Sequence, residues 1–287
     1  MYYRVWGGFI AKYAIIGLGK IGTAIAKALI KTGVKACDIA GSVRSEHGLM
    51  RAKGELPGIH VALSNEEVVK DAEVIVLAVK PRQVVDVIND VGKLLTEDKL
   101  MISVVAGLST RILGNLTRAR VIRGMPNIAI LEGSGVTAVS RGPRATDTDV
   151  EFTCSLFNAV GKCYIINEEY LNAVTALSGS GPAYVAMIVE ALWEAGILVG
   201  LPSDLAWSLS IDVIESGARL LNSKKPWEII SDVATPGGVT ISGIKFAEER
   251  GLKGLLMGMI ESAYRRSTDV QKIIEDTIEA NLSKLRK

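Results

Sequence analysis

A glycine-rich turn near the start of the chain could bind a phosphate group. The sequence GLGKIG occupies residues 17–22, after an apolar run at 13–16 and before apolar side chains at helical spacing. In such a strand–turn–helix unit, Gly17 permits the tight turn, Gly19 lets a pyrophosphate approach the backbone, and Gly22 lets the helix pack on the sheet. The unpaired N–H groups of the helix N-terminus would bind the phosphates. The pattern predicts a dinucleotide-binding turn.

The end of the second predicted strand indicates which dinucleotide this turn would take. NAD-binding domains place an acidic residue there, about 20 residues after the glycine turn, whereas this sequence has Ser42, Val43 and Arg44. A hydroxyl and a guanidinium can bind a 2′-phosphate through charge-assisted hydrogen bonds. We therefore expect NADPH as the cofactor, with NADH as the alternative. The other interpretation of Arg44 is a solvated loop residue.

Two turns in the second half of the chain could bind a carboxylate. LSGSGPAY at 177–184 and TPGGVT at 235–240 each place Gly, Pro and hydroxyl side chains before a predicted helix. Helix N-termini with small residues and free N–H groups bind such anions. Either turn alone would be explained as an ordinary connection between helices. Two of them in a chain with a nucleotide-binding turn favour a substrate pocket.

Scarce residue types limit the reaction. The chain has only two histidines, His47 and His60, and no HExxH, GxSxG or SxxK pattern. Reduction of a C=O bond needs a group that protonates the developing alkoxide, usually His, Lys or Tyr. Reduction of an iminium needs none, because the nitrogen carries its own proton. The residues around the turns fit reduction of C=N better than reduction of C=O.

Alternating strands and helices must position these turns. Eight apolar runs are predicted as strands, and they imply a parallel sheet with helical crossovers. These runs are residues 13–17, 38–42, 60–63, 73–79, 99–105, 120–123, 136–139 and 163–166. From residue 171 onward the periodicity is helical, over 182–199, 203–221, 240–250 and 253–266 and in a tail helix from 268. We predict an α/β fold, with a Rossmann-type parallel sheet in residues 1–167 and an all-helical domain in residues 168–287.

Composition excludes several functional classes. The 287 residues are 48% hydrophobic, and 33 basic against 31 acidic residues give a net charge of +2. Bulk charge therefore does not favour binding to nucleic acid or to a membrane surface. The three cysteines lack metal-ligand spacing, which argues against a metal site and for a reducing compartment. We expect a cytoplasmic, soluble protein without a membrane span, whose apolar helical domain is partly covered by another subunit.

The motifs resemble those of the pyrroline-5-carboxylate reductase family. They follow the family's order over roughly residues 13–270, and the second and third turns are far more specific than the glycine fingerprint. The matching segments are residues 16–22, AVKP at 78–81, RGMPN at 123–127, ALSGSGPAY at 176–184, LWEAGILVGLP at 192–202 and VATPGGVTI at 233–241.

The resemblance implies an activity and an assembly. The reaction would be hydride transfer from NAD(P)H to C5 of 1-pyrroline-5-carboxylate, giving L-proline. The helical domain would interlock with a second copy into a homodimer, and such dimers would assemble further. The pocket would lie between one chain's nucleotide domain and the helices of the interlocked pair.

The resemblance also assigns residues. Cofactor-binding residues would be Ile16, Gly17, Leu18, Gly19, Lys20, Ile21, Gly22, Ser42, Val43, Arg44, Asn65, Ala78, Val79, Lys80, Pro81, Val104, Val105 and Ala106. The substrate would lie at Gly238, Val239, Thr240, Ser178 and Asn127, with the Thr240 hydroxyl on the ring nitrogen as the catalytic contact. Residues 1–12 precede the family's usual start, Ile128 replaces a common Thr, and the loop at 222–225 is basic where many members carry an acid.

Three alternatives remain at this level. A 3-hydroxyacid dehydrogenase of similar architecture would carry a catalytic lysine on its glycine-rich helix, but residues 179–191 contain no lysine. A reductase of another cyclic imine has the same requirements as the proposed enzyme. A nucleotide-binding sensor without chemistry is disfavoured by the intact glycine turns and Thr240.

Overall fold

The N-terminal part of the chain forms one eight-stranded sheet. The structure is a computed structural model that describes residues 13–285, so the predicted N-terminal extension at 1–12 lies outside the described residues. The strand order is β3-β2-β1-β4-β5-β6-β7-β8. The strands are β1 Tyr13–Ile16, β2 Ile39–Ser42, β3 His60–Ala62, β4 Val74–Leu77, β5 Leu100–Ser103, β6 Arg120–Pro126, β7 Gly135–Arg141 and β8 Gly161–Ile165. Each predicted apolar run overlaps one of them, and the predicted Rossmann-type sheet is confirmed.

One strand pair departs from the predicted parallel arrangement. β6 and β7 are antiparallel, whereas the other neighbouring pairs are parallel. Only residues 127–134 join these two strands, and they contain a short 3₁₀ turn that ends at Gly133, with φ +73°. A parallel crossover needs a dozen or more residues, so this connection can only reverse the chain.

Helices pack on both faces of the sheet, and helices joined by turns make up most of the residues after β8. They are α1 Lys20–Lys31, α2 Glu46–Glu55, α3 Asn65–Val69, α4 Val84–Val91, α5 Thr110–Leu116, α6 Asp147–Asn158, α7 Leu171–Val174, α8 Gly181–Leu198, α9 Ser203–Leu220, α10 Pro226–Val233, α11 Val239–Glu249 and α12 Leu252–Leu285. Ile15 and Val76 face one buried apolar cluster, while Ile16 and Ile75 face another. Burial on both faces explains why these strands are apolar at successive positions.

The sequence predicted two helices at the end of the chain, 253–266 and a tail helix from 268, and this prediction is wrong. α12 is continuous from Leu252 to Leu285, and the hydroxyl side chains at the predicted boundary are bonded within the protein. Thr268 Oγ1 donates to the Tyr264 carbonyl oxygen at 3.1 Å, and Ser267 Oγ donates to Asn172 Oδ1 at 2.9 Å. The short helix α10 was not predicted from the sequence.

The chain divides into two compact units. One contains the described residues up to Gly179 and those from Tyr264 onward, and the other is Ser180–Ala263. Ile278, near the end of α12, is buried in the core of the first unit. The domain division at residue 167 stays a prediction. In the structure, residues 168–179 and the end of α12 belong to the same unit as the sheet.

One helical stretch, Glu168–Leu198, is long and apolar enough to cross a membrane by length and composition. A single stretch of this kind is weak evidence for a span, because core helices of water-soluble proteins pass the same test. It also carries Glu190 and Glu194.

Candidate functional site

The carboxyl ends of neighbouring parallel strands meet at one edge of the sheet. The register pairs Ile16 with Ser42 and with Leu77, and Leu77 with Ser103. β1 lies between β2 and β4, where the strand order reverses and where sheets of this type bind ligands. The predicted cofactor residues follow these strand ends and therefore lie along the same edge, and their binding roles stay predictions.

The glycine turn has a backbone that only glycine fits at two positions. Gly17 has φ +98°, and a β carbon there would lie 2.8 Å from the Ala78 carbonyl oxygen. A β carbon at Gly22 would overlap the Gly17 carbonyl group. The N–H groups of Gly17 and Leu18 both donate to the Ser42 carbonyl oxygen, at 3.2 and 3.0 Å. The turn is therefore fixed against β2 and β4.

The N-terminus of α1 presents unpaired donors beside open space. The first backbone hydrogen bond of this helix runs from the Thr23 N–H to the Gly19 carbonyl oxygen, at 2.9 Å. The N–H groups of Lys20, Ile21 and Gly22 therefore have no acceptor within the helix. Gly19 caps the helix without a side-chain bond, and no described atom outside its neighbours lies within 4 Å of where its β carbon would be. This geometry suits a pyrophosphate.

Ser42 and Asn65 contact each other at the same edge. Ser42 Oγ donates to Asn65 Oδ1 at 2.7 Å, and Asn65 Nδ2 donates to Asp90 Oδ2 at 2.9 Å. Ser42 is only 2% exposed, so its hydroxyl is engaged by Asn65 inside the protein. In this arrangement Ser42 holds the turn through its carbonyl oxygen and positions Asn65 through its hydroxyl.

Arg44 follows β2 on the surface. It is exposed and forms no hydrogen bond or ion pair with another described residue. The next residue, Ser45, caps α2 by accepting the Gly48 N–H at 3.2 Å. The Arg44 guanidinium is thus available to a ligand at the carboxyl edge.

The loops after β4 and β5 contribute backbone more than side chains. Ala78 N–H donates to the Ile16 carbonyl oxygen at 2.9 Å, and Val104 N–H donates to that of Leu77 at 3.0 Å. Val105 is buried in the core, whereas Lys80 and Ala106 are exposed. Val79 and Pro81 are half-buried.

Asn127 and Ser178, both predicted at the substrate, lie together in the first unit. Asn127 Nδ2 donates to the Ser178 carbonyl oxygen at 3.2 Å, and its Oδ1 accepts the N–H groups of Ala129 and Val136 at 3.2 and 3.1 Å. The Ser178 segment is a π-helical turn, Thr175–Gly179, directly before α8. Asn127 therefore fixes the position of this turn.

The second predicted substrate turn precedes α11 in the other unit. Gly237 has φ +68°, and the Gly238 N–H donates to the Thr235 carbonyl oxygen at 3.0 Å. Gly238 caps the helix without a side-chain bond, Thr240 is half-buried, and Val239 is 94% exposed. The first turn of α11 therefore offers N–H groups and the Thr240 hydroxyl at the surface of its unit.

Two residues that contact the predicted cofactor residues at the carboxyl edge of the sheet were missed by sequence reasoning. Asp90 contacts Asn65, and the Arg51 Nη2 donates to the Leu18 carbonyl oxygen at 2.5 Å. Both contacts join residues more than twenty positions apart, so no local pattern signals them.

The described residues contain no metal-binding cluster, and burial disfavours the thiolate of one cysteine, Cys163. No group of three or more His, Cys, Asp or Glu side chains in residues 13–285 could hold a metal ion. Burial, together with a hydrogen bond to Cys154, raises the pKa of the Cys163 thiol well above its ordinary value. A thiol held protonated is a poor nucleophile.

The fold and the glycine turn define a Rossmann-type dinucleotide-binding protein with a helical C-terminal part. Family models agree with this class. The model described as NADP oxidoreductase, coenzyme F420-dependent, matches residues 12–107, and the model described as pyrroline-5-carboxylate reductase dimerisation matches residues 168–270.

Relatives identify the family. A pyrroline-5-carboxylate reductase from Pisum sativum is 38% identical over 89% of this chain and 94% of its own length. The structure of a pyrroline-5-carboxylate reductase from Coxiella burnetii, 29% identical, superposes with a TM-score of 0.83 over 91% of this chain and 98% of its own. That of the Plasmodium falciparum enzyme with NADP bound is 27% identical, with a TM-score of 0.81 over the same shares. The chain belongs to the pyrroline-5-carboxylate reductase family, as its motifs predicted.

Proposed function

We propose that this protein reduces 1-pyrroline-5-carboxylate to L-proline with NADPH. The observation that carries the proposal is the N-terminus of α1, which presents three unpaired N–H groups at the point where the strand order reverses. Relatives named pyrroline-5-carboxylate reductase align over nearly the whole chain, which supports the reaction.

The cofactor would be bound by backbone groups and one cation. The N–H groups of Lys20, Ile21 and Gly22 would hold the pyrophosphate. The unengaged guanidinium of Arg44 would bind the 2′-phosphate, since this phosphate is what distinguishes NADPH from NADH. When bound, NADPH supplies the hydride. The Plasmodium falciparum relative with NADP bound supports the choice of cofactor.

The substrate would be held by its carboxylate and its ring nitrogen. The N–H groups of Val239 and Thr240 would bind the carboxylate, with Gly238 allowing its approach, and the Thr240 hydroxyl would hydrogen-bond the ring nitrogen. Asn127 would act through the Ser178 turn, because three of its hydrogen-bonding positions are already used. Hydride addition at C5 neutralises the iminium, and the nitrogen keeps its proton. Orientation and fixed dipoles would supply most of the rate enhancement.

The assembly would be a homodimer formed through the helical part of the chain. The match of residues 168–270 to a dimerisation model supports self-association, and the large apolar side chains exposed on α8, α9 and α12 agree with it. We propose the interlocked form of this dimer, a further assembly of dimers, and a cytoplasmic location without nucleic-acid or membrane binding.

Steady-state kinetics test the function. NADPH and NADH oxidation are compared under identical conditions with 1-pyrroline-5-carboxylate, and L-proline is identified chromatographically. We expect turnover that favours NADPH. Turnover that favours NADH would keep the reaction and overturn the role of Arg44. Absence of turnover with either cofactor, in a folded protein that binds them, would contradict the function and favour another imine substrate or a sensor.

A further inference from the structure

We infer that Arg51 is a positioning residue of the dinucleotide-binding turn and acts through the carbonyl oxygen of Leu18. The inference rests on the proposed function, because it concerns the cofactor site of that reaction. Arg51 lies on α2, 33 residues beyond Leu18, and its Nη2 donates to the Leu18 carbonyl oxygen at 2.5 Å.

Leu18 is restrained at three separate points. Its N–H donates to the Ser42 carbonyl oxygen at 3.0 Å. Its side chain lies against β2 so closely that a β carbon at Gly41 would be 2.5 Å from Leu18 Cδ1. Its carbonyl oxygen is held by Arg51. Main chain and side chain are thus fixed by β2, and the remaining polar group is fixed by α2.

The third restraint sets the direction of the peptide that enters α1. A trans peptide is planar, so the Leu18 C=O and the Gly19 N–H point in opposite directions. The Gly19 N–H donates to the Gly17 carbonyl oxygen at 2.9 Å. Arg51 at one end and Gly17 at the other therefore fix this plane. Because Gly19 caps α1, the plane determines where the three unpaired N–H groups of the helix point.

The Leu18 contact is the principal described contact of the Arg51 guanidinium. The other is with Glu55 on the same helix, where Nε and Oε1 are 3.8 Å apart. Exposed pairs of this kind contribute little. The Arg51 side chain remains 42% exposed, so it bridges α2 to the turn at the protein surface.

A positioning role differs from direct binding of the 2′-phosphate in one measurable respect. The pyrophosphate that meets the turn is common to NADPH and NADH, whereas the 2′-phosphate is present only in NADPH. Loss of Arg51 should therefore weaken both cofactors by the same factor. Loss of Arg44 should weaken NADPH alone.

The experiment is calorimetric titration of NADPH and NADH into wild type, Arg51→Met, Arg51→Lys and Glu55→Gln. Arg51→Met should raise both dissociation constants about tenfold, the scale of one lost charge-assisted hydrogen bond. Arg51→Lys should recover part of the affinity for both, because an ammonium can still donate to Leu18. Glu55→Gln, the matched control on the same helix, should leave both dissociation constants unchanged. In turnover assays Arg51→Met should raise the KM for both cofactors and leave kcat within about twofold, since the hydride step is unaltered.

Three results would overturn the inference: wild-type affinity in Arg51→Met, a loss confined to NADPH, or an equal loss in Glu55→Gln. Should Arg51→Met not fold, Arg51→Gln replaces it, because its shorter and uncharged side chain removes the charge-assisted bond to Leu18 but keeps a polar group at the surface. That variant should weaken both cofactors equally, and a loss of NADPH alone would again contradict the inference. These titrations need no pyrroline, so a wrong proposed reaction would show separately, as wild-type protein that binds cofactor without turnover.

Discussion

The turn before α1, proposed to bind the cofactor, and the turn before α11, proposed to bind the substrate, differ in which elements hold them in place. The turn before α1 is fixed by other elements, since Ser42 accepts two of its N–H groups and Ala78 leaves no room for a side chain at Gly17. The turn before α11 is fixed by its own residues: the Gly238 N–H donates to Thr235, and Ser242 Oγ donates to the Gly238 carbonyl oxygen at 3.2 Å.

The difference indicates what each turn needs in order to work. The glycine turn has a complete framework within its own unit and should bind a dinucleotide in a single chain. The helices of the other unit expose many large apolar side chains, which in soluble proteins are usually covered by a partner. We therefore expect cofactor binding to be independent of self-association, and turnover to depend on it.

The largest expected effects separate the two kinds of glycine in the first turn. Gly22→Ala should lower the free energy of unfolding by about 2–4 kcal/mol, because the new methyl group meets the Gly17 backbone. Gly19→Ala is the matched control, since its β carbon meets open space. It should leave stability unchanged but weaken the binding of NADPH about 100-fold, because the methyl group would occupy the space through which the pyrophosphate approaches the backbone. A loss of this size is the scale of two lost charge-assisted bonds. Denaturant unfolding and calorimetry measure these quantities, and equal stability losses would contradict the assignment.

The turn before α11 is tested by Thr240→Ala. Its turnover should fall by about 10–100-fold, the scale of one oriented hydrogen bond lost in the transition state. Its affinity for NADPH should not change. Ser216→Ala is the control, since it also removes an exposed hydroxyl from a helix of the same unit, one that donates to the Val213 carbonyl oxygen within α9. Unchanged kinetics in Thr240→Ala, or an equal loss in Ser216→Ala, would remove Thr240 from the reaction.

Dependence on a partner is tested by Met257→Lys on α12. Met257 is 72% exposed and lies within the matched dimerisation region. Burying a charge there should weaken the dimer by about 2 kcal/mol, roughly 30-fold in the dissociation constant. Met50→Lys is the control: Met50 is 71% exposed on α2, and this substitution should not weaken the dimer. Sedimentation velocity reports association and calorimetry reports NADPH binding. If the affinity for NADPH falls when the dimer dissociates, cofactor binding depends on self-association, which would contradict the proposed difference between the two turns.

The smallest expected effect belongs to Arg44→Gln. The KM for NADPH should rise about tenfold and the KM for NADH should hardly change, because only the 2′-phosphate loses its cation. The variant needs no structural control, because Arg44 contacts no other described polar group. An equal rise for both cofactors would place Arg44 at the shared part of the dinucleotide.

Much of the first unit could be predicted from the sequence, for physical reasons. Strands buried on both faces are apolar at successive positions, as in residues 73–79, and the glycine spacing follows from close backbone approaches at Gly17 and Gly22. Strand direction could not be predicted in the same way. The pattern of β7 is equally compatible with either orientation, and only the length of the connection at 127–134 determines it.

Contacts distant in sequence explain the other differences. The sequence predicted separate helices at 253–266 and from 268, whereas α12 is continuous, with Ser267 bonded to Asn172 and Thr268 to the preceding turn. Asn127 was predicted at the substrate from its motif, and the structure shows it bonded to the Ser178 carbonyl. Arg51 contacts Leu18 and Asp90 contacts Asn65 from helices whose own sequences do not indicate these contacts.

The most direct test of the proposed reaction follows the hydride itself. NADPH carrying deuterium at both C4 positions is mixed with 1-pyrroline-5-carboxylate and the enzyme, and the product is analysed by mass spectrometry and NMR. The account predicts L-proline with one deuterium at C5. Proline without deuterium, deuterium at another carbon, or no proline from a folded protein that binds NADPH would contradict it.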